Sequence, residues 1–255
     1  MPEIIALRPF EYSDDGLTTK NYEKGRQTVS DNCAEFALGE GLAVDKEARG
    51  PWVLPEWERC VIVAAGPSAP ESLEGWTGAR GWPVIVINES WRLVAEASAD
   101  MLYACDLKWW QENNGAPFFK GLKVTIDEKA VKLWPDLTRV WSRDQSDFVF
   151  GRPGETSGGG NSGHQALNLA VSLGCKEIAL VGFDFSLERG VHWHGAHTPP
   201  LWNPNPDTFK RWIDCMNRAA PRLSAHGVKV WNCSSHSALT CFEKATLCNI
   251  AQVSH

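Results

Sequence analysis

The sequence predicts an α/β fold in which a mostly parallel β-sheet lies between two layers of helices, with a small N-terminal extension. Short apolar runs alternate with amphipathic segments from Arg59 onward, which is typical of strands buried on both faces and of helices that cover them. A Gly-rich polar loop, Ser157–Gly163, precedes one of these helices. Polar residues end several apolar runs, and in a parallel sheet they share one edge: Ser68, Asn88, Asp106, Asp184 and Asn232.

Length and composition exclude several classes of protein. The 255 residues suffice for one large α/β domain with an appendage, and the net charge of −6 argues against a broad nucleic-acid surface. No apolar run approaches the roughly 20 residues that span a bilayer, and the first residues lack the pattern of a signal peptide. The eight cysteines form no C-x-x-C pair, so we expect reduced thiols and no structural zinc site. These features predict a cytoplasmic protein without a membrane partner, and they leave homo-oligomerisation open.

Residues 1–50 differ in composition from the rest and predict a small N-terminal module or extension. We expect a hairpin that pairs Ile4–Phe10 with Leu17–Tyr22, and one short helix within Cys33–Leu42. Residues 51–58, which follow Gly50 and contain Pro51 and Pro55, predict a linker.

Residues 59–255 are predicted to form the larger domain of the chain. The predicted strands are short apolar runs that end in Gly, Pro or polar residues: Cys60–Ala65, Pro83–Asn88, Met101–Cys105, Lys123–Ile126, Arg139–Trp141, Glu177–Gly182 and Val228–Asn232. The predicted helices show apolar residues at helical spacing: Trp91–Ala99, Lys108–Gln111, Lys129–Leu133, His164–Leu173 and Phe209–His226. We expect loops at 144–155 and at the proline-rich residues 198–206.

Two loops at the predicted sheet edge are suited to phosphate. Gly66 follows the first strand of the domain and permits close backbone approach, while Ser68 offers a hydroxyl and an N–H group. The Gly-rich loop ends at a helix start for which Asn161 or Ser162 is the expected N-cap. The first loop is not a G-x-G-x-x-G dinucleotide motif, and the chain contains no P-loop motif.

Three histidines, His192, His194 and His197, follow the strand that ends before Asp184. A histidine near neutral pKa is a suitable general base, and we favour His192 or His194 because they lie nearer the strand end. A solvated loop is one alternative. A metal site formed by the H-x-H-x-x-H pattern with Asp184 is another, although no metal is predicted.

These motifs together resemble one Rossmann-like superfamily. The resemblance rests on Gly66-Pro67-Ser68 after the first strand, Asn88 after the second, the T-S-G and N-S-G sequences before a helix, and the L-V-G-F-D-F run. The superfamily includes bacterial sialyltransferases that use a CMP-sugar, hydroxymethylpterin pyrophosphokinase-like proteins and motility accessory glycosylation proteins. The sequence looks most similar to uncharacterised bacteriophage members, over about residues 59–240.

The resemblance implies a role for each matching position. Gly66, Pro67 and Ser68 are expected at the donor phosphates, and Asn88 at the nucleotide. The remaining implied contacts are pocket residues Ser162 and Gly163, while Asp184 at the pocket base and a loop histidine that acts as general base are the expected catalytic residues. Asp106 and Asn161, at the same predicted edge, complete the expected nucleotide-binding set. The HWHGAH and TPPLWNPNP stretches depart from the sialyltransferases and put sialic acid itself in doubt.

The leading functional prediction is therefore a phage-encoded, nucleotide-sugar-dependent glycosyltransferase of the CMP-sugar type with an unidentified acceptor. A Mg²⁺-dependent pyrophosphokinase or phosphotransferase is an alternative, with Asp106 and Asp184 as metal ligands. A non-catalytic nucleotide-binding phage assembly protein is a third reading, with residues 1–50 as its docking module.

Overall fold

The computed structural model describes residues 2–6, 9–23, 25–40, 42–45, 54–76, 78, 81–94, 99–143, 148–150 and 154–251. The chain divides into two compact units. The smaller unit comprises Met1–Trp52 with Gly151–Pro153, and the larger comprises Val53–Phe150 with Gly154–His255. Residues 51–53 of the predicted linker and the loop positions 144–147 and 151–153 lie outside the described residues.

The smaller unit contains two small antiparallel sheets and one helix. Its elements are β1 Glu3–Ala6, β2 Phe10–Tyr12, β3 Lys20–Tyr22, β4 Gly25–Thr28, α1 Asp31–Gly39 and β5 Ala43–Asp45. Strand β1 lies between β4 and β5, while β2 pairs only with β3 among the described strands. The predicted hairpin was therefore wrong for β1, because the turn at residues 13–19 joins β2 to β3 and leaves β1 free to pair with later strands.

The larger unit is built on an eight-stranded sheet. Its elements are β6 Arg59–Val63, α2 Ala69–Ser72, β7 Val84–Ile87, a 3₁₀ helix Asn88–Leu93, β8 Met101–Tyr103, α3 Leu107–Glu112, β9 Leu122–Thr125, α4 Glu128–Leu133, β10 Thr138–Arg139, β11 Trp141–Arg143, β12 Glu155–Ser157, α5 Ser162–Ser172, β13 Glu177–Val181, α6 Pro206–Ala225, β14 Lys229–Asn232, β15 Glu243–Lys244 and α7 Leu247–Ile250. The strand order is β10-β9-β8-β7-β6-β13-β14-β15, and every pair in the sheet is parallel.

Side chains alternate between the two faces of this sheet, and both faces are buried. One face packs with residues from α2, α3, α4 and α7 into a core that includes Val61, Val63, Val86, Leu102, Val181, Ala69, Trp110, Ala130 and Leu247. The opposite face presents fully buried Cys60, Ile62, Ile85, Ile178 and Leu180. Helix α5 contacts β6 and β7 on the sheet, and α6 contacts β14. The predicted α/β fold with a parallel sheet between helical layers is confirmed.

The order in which strands are added to the sheet changes direction at its centre. Strands β6 to β10 extend to one side, and β13 to β15 then extend to the other side of β6. The neighbours β6 and β13 are thus a topological switch point, where connections diverge and leave a crevice at the carboxyl ends of the strands.

Several local predictions differ from the structure. The predicted helix Trp91–Ala99 is a 3₁₀ helix that begins earlier, at Asn88, and residues 95–98 lie outside the described positions. Pro206 was predicted in a loop but is the first residue of α6, where its missing N–H costs no helical hydrogen bond. Asn205 caps that helix, because its side chain accepts a hydrogen bond from the N–H of Thr208 at 2.9 Å. Within the described part of the chain, no helix has the length and apolar character needed to cross a membrane.

Candidate functional site

The turn after β6 approaches the turn after β13 very closely. The N–H of Gly66 donates to the carbonyl of Gly182 at 2.9 Å. A Cβ atom at Gly66 would lie 2.4 Å from Asp184 Oδ1 and 2.4 Å from the Gly182 carbonyl oxygen. Glycine is therefore required at this position because any side chain would separate the two central strand ends.

Asp184 and Ser68 form a buried pair across this switch point. The Ser68 N–H donates to Asp184 Oδ2 at 2.8 Å, and the Ser68 hydroxyl donates to Asp184 Oδ1 at 2.6 Å. Ser68 is fully buried, and Asp184 is 4% exposed. Burial raises the pKa of Asp184, while the two hydrogen bonds from Ser68 act to lower it. Because both donors of Ser68 are used within the protein, the pair fixes the shape of the Gly66-Pro67-Ser68 turn.

Asn88 lies at the carboxyl end of β7, in the position predicted for nucleotide contact. Its backbone is left-handed, with a φ of 51°. Its Oδ1 atom is buried and has no hydrogen-bond partner among the described residues, and the same holds for the hydroxyl of Ser90 two residues later. Buried polar atoms are nearly always paired in proteins, so each of these atoms is available to a hydrogen bond from water or a bound ligand.

Helix α5 begins between the carboxyl ends of β8 and β13. Asn161 is its N-cap, since its side chain accepts from the N–H of His164 at 2.8 Å, as predicted for this position. The Ser162 hydroxyl donates to Cys105 Sγ at 3.0 Å, just beyond β8. A Cβ atom at Gly163 would lie 2.9 Å from the Phe183 ring, just beyond β13. The N–H groups of the first turn therefore lie at the same edge as Gly66 and Asn88.

Cys105 and Asp106 complete this edge at the end of β8. Asp106 is exposed and is the first, non-helical residue before α3. Burial and the neighbouring Asp106 carboxylate raise the pKa of the Cys105 thiol to about 12. Cys105 is thus a neutral thiol that contacts α5, and no nucleophilic role follows from it.

The three loop histidines converge. We define the histidine cluster as His192, His194 and His197, whose nearest ligand-forming nitrogens all lie within 4.8 Å of one another. Their ring centroids are 4.6 to 5.2 Å apart. The Nε2 atoms of His192 and His194 are buried without a hydrogen-bond partner among the described residues.

The cluster is anchored beside the switch point. The N–H of Trp193 donates to the carbonyl of Ala65 at 3.0 Å, which places the loop next to the residue that precedes Gly66. The Arg92 guanidinium lies 5.5 Å from the centre of the Trp193 ring, so the 3₁₀ helix after β7 also contacts the loop. Asn203 fixes the far end of the loop, because its side chain accepts from the N–H of His197 and donates to the carbonyl of His197, both at 2.8 Å.

The surroundings keep these imidazoles neutral. Burial, aided by the other two histidines, lowers the pKa of His192 to about 4, below the near-neutral value expected of a general base. Burial also lowers the pKa of His194 and of His197, against the opposing effect of the Glu89 carboxylate. Each neutral imidazole has one nitrogen lone pair that can accept a proton or bind a metal ion.

A polar cavity of about 330 Å³ opens on the β13–β14 side of Asp184. Arg189, His236 and Lys244 are cationic or titratable residues on its wall, together with Ser235 and Ser237. Neither Arg189 nor Lys244 was predictable as a cavity residue, because nothing local in the sequence shows that the loop after β13 and strand β15 line the same cavity. Arg189 is paired with the Glu71 carboxylate at 2.7 Å, so this cavity is not a purely cationic surface.

The structure thus places most predicted site residues at one sheet edge. Gly66 and Ser68 contact Asp184 directly, Ser162 contacts Cys105, and the loop of the histidine cluster contacts Ala65. Metal-ligating geometry is present at the histidine cluster, and Asp184 is not part of it.

Comparison with known proteins supports the fold. No protein-family model and no curated protein matches the sequence. A MAf glycosyltransferase from Magnetospirillum magneticum AMB-1 is similar in structure, with a TM-score of 0.51 and 14% identity over 78% of this chain and 35% of that chain. The chain therefore spans about a third of that protein's length.

Two structures of a sialyltransferase show lower similarity. CstII from Campylobacter jejuni, in complex with a substrate analogue, cytidine-5′-monophosphate, gives a TM-score of 0.46 at 13% identity over 74% of this chain and 85% of that one. CST-II in complex with a trisaccharide acceptor and CMP gives 0.45 at 13% identity, over 74% and 86%. The larger unit has the Rossmann-like α/β fold, in an arrangement that matches that of the MAf glycosyltransferase.

Proposed function

We propose that this chain is a nucleotide-sugar-dependent glycosyltransferase whose catalytic domain is residues 59–255, with residues 1–50 as an accessory module. The observation that carries the proposal is the junction at Ala65 and Gly66, where the switch-point turn and the loop of the histidine cluster are hydrogen-bonded to each other. The donor nucleotide sugar and the acceptor would therefore bind next to each other at the carboxyl edge of the sheet. The sequence resemblance further supports a CMP-type donor, a phage origin and action in the host cytoplasm.

The donor nucleotide would bind between the ends of β6, β7 and β8. Asn88 Oδ1 is an acceptor that a base amino group or a ribose hydroxyl would satisfy. The N–H groups of Ser162 and Gly163 precede the first intrahelical bond of α5, from Gln165 N–H to the Asn161 carbonyl, and suit a phosphate. Ser68 and Asp184 would act as positioning residues that hold the Gly66 turn, since their polar groups already pair with each other.

The acceptor would be activated at the histidine cluster. In the metal-free protein, Nε2 of His192 or His194 would accept the proton of the acceptor hydroxyl, because neither atom has a hydrogen-bond partner among the described residues. The acceptor oxygen would form a bond to the anomeric carbon. The bond from that carbon to the donor phosphate oxygen would break, and the nucleotide would leave with the electron pair.

The Mg²⁺-dependent phosphotransferase reading has less support. Both carboxylate oxygens of Asp184 already accept hydrogen bonds from Ser68, whereas Asp106 is exposed at the end of a different strand. No group of three or more carboxylates with metal-binding geometry occurs among the described residues.

Calorimetric titration of the full chain with mononucleotides tests the donor site, and release of nucleotide from a panel of nucleotide sugars tests turnover. Asn88→Ala should weaken nucleotide binding about 10-fold, the effect of losing one hydrogen bond. Asn114→Ala is the matched control, because Asn114 is exposed and has the same left-handed backbone with a φ of 48°. Nucleotide binding without turnover would favour the assembly-protein reading, and equal affinity in both variants would remove Asn88 from the site.

A further inference from the structure

We propose that His192, His194 and His197 bind one divalent transition-metal ion of the Zn²⁺ class. The histidine cluster supplies three nitrogen ligands that lie within 4.8 Å of one another. Around a tetrahedral Zn²⁺ with Zn–N bonds of about 2.0–2.1 Å, ligand nitrogens are about 3.3 Å apart. The observed spacing of up to 4.8 Å is somewhat wider, so the three rings would move closer together to bind an ion.

Two nitrogens of the cluster have no hydrogen-bond partner among the described residues, whereas the His192 ring also has a hydrogen bond with the Ala65 backbone. Nε2 of His192 and Nε2 of His194 are buried, and neither has a hydrogen-bond partner among the described residues. The three rings contact one another, with His192 and His194 stacked at 5.2 Å and an interplanar angle of 10°. Rings packed in this way cannot each gain a proton without mutual repulsion, whereas a single shared cation satisfies all three lone pairs.

The backbone holds the ligands in place before any ion arrives. The hydrogen bond from Trp193 to Ala65 fixes the loop between the first two ligands. The side chain of Asn203 forms two hydrogen bonds with the backbone of His197, which fixes the third ligand. Such fixation from the surrounding shell is typical of metal sites, where it reduces the entropy lost on binding.

The donor set selects the class of metal. Three imidazole nitrogens suit Zn²⁺, Ni²⁺, Cu²⁺ or Fe²⁺, whereas Mg²⁺ and Ca²⁺ prefer oxygen ligands. The Glu89 carboxylate is close enough to act electrostatically on His194 and His197, although it also pairs with Arg92 at 3.6 Å. Three protein ligands leave a fourth position for water or substrate, which is the arrangement of catalytic rather than structural zinc sites.

The metal site extends the proposed function without depending on it. A metal ion would occupy the imidazole lone pairs, so a metal-bound hydroxide would replace the free imidazole as proton acceptor. That extension rests on the proposed glycosyl transfer, whereas binding of the ion rests on the histidine geometry alone.

The test is a Co²⁺ and Zn²⁺ titration of the full chain, freed of metal with a chelator and assayed without nucleotide. Wild-type protein should bind one equivalent and give the visible absorption of tetrahedral Co²⁺. Each of His192→Ala, His194→Ala and His197→Ala should weaken binding at least about 100-fold, and Asn203→Ala about 10-fold. His236→Ala is the matched control, because His236 is exposed and outside the cluster, and it should bind as the wild type does.

The outcomes separate the two proposals. The metal site would be overturned if the wild type did not bind one equivalent of Co²⁺ or Zn²⁺. It would also be overturned if His236→Ala lost as much metal affinity as the cluster variants. Unfolding curves of each variant establish that lost binding is not lost folding. Metal binding without nucleotide-sugar turnover would support the site and reject the glycosyltransferase. Full turnover in chelator-treated protein that depends on one histidine only would support the free imidazole base and reject the metal as its replacement.

Discussion

Replacement of Ser68 by alanine tests the buried pair at the switch point. The substitution removes the 2.6 Å hydrogen bond from the Ser68 hydroxyl to Asp184 Oδ1 and keeps the 2.8 Å bond from the backbone N–H. Hydrogen bonds to charged groups contribute about 1.5–3 kcal/mol, and both residues are buried, so solvent does not replace the lost bond. We therefore expect Ser68→Ala to lower the free energy of unfolding by about 2 kcal/mol, or the Tm by about 4–8 °C.

The effect should depend on pH in a defined direction. Burial raises the folded-state pKa of Asp184 above its ordinary value of 3.8, so stability falls as pH rises from that value through the folded-state pKa. The Ser68 hydrogen bond lowers this pKa, and its removal raises the pKa further and extends the range over which stability is lost. Ser68→Ala should therefore destabilise more at about pH 7 than at about pH 4.

Urea denaturation of the full chain at both pH values measures this difference. Ser172→Ala is the control, because the Ser172 hydroxyl only donates to the Leu169 carbonyl within α5, and its loss should cost less than about 0.5 kcal/mol. If Ser68→Ala and Ser172→Ala destabilised equally, or if the larger loss occurred at the lower pH, the assigned role of the Asp184 carboxylate would be wrong.

Two further outcomes are expected. Gly66→Ala should destabilise by at least about 2 kcal/mol in a thermal unfolding scan, because its Cβ would lie 2.4 Å from a backbone oxygen; an unchanged unfolding temperature would contradict the close approach. Deletion of residues 1–50 should leave a domain that unfolds cooperatively and binds nucleotide, since the larger unit contains the whole eight-stranded sheet; an insoluble product would show that residues 1–50 complete its core.

The sheet was predictable from the sequence because its signal is local. Runs such as Val84–Ile87 and Glu177–Val181 are short, apolar and rich in branched residues, and all four residues of the first are buried. The carboxyl-edge location of Gly66, Asn88 and Asp184 followed from strand order along the chain. Strand β12 was missed because Glu155–Ser157 is polar, although the structure buries all three residues.

The partner of each polar residue was not predictable. Ser68 was expected to present its hydroxyl to a phosphate, yet the hydroxyl donates to a carboxylate 116 residues later in the chain. The sequence pattern H-x-H-x-x-H showed three imidazoles close together along the chain. Their convergence in space depends on the hydrogen bond of Trp193 with the distant Ala65 backbone and on that of His197 with the Asn203 side chain. Propensity and spacing describe neighbours along the chain and contain no information on such long-range pairs.

The central position of β6 has a consequence for the order in which the protein folds during synthesis. Strands β7 to β10 can pair in sequence on one side of β6 as they leave the ribosome. The other edge of β6 stays unpaired until β13, more than a hundred residues later, is made. The junction of Gly66 with Gly182 and Asp184 therefore forms among the last contacts of the sheet. A nascent chain would therefore complete the proposed nucleotide-binding edge only once its sheet is nearly complete. Binding of the proposed nucleotide would then report the end of folding rather than an intermediate.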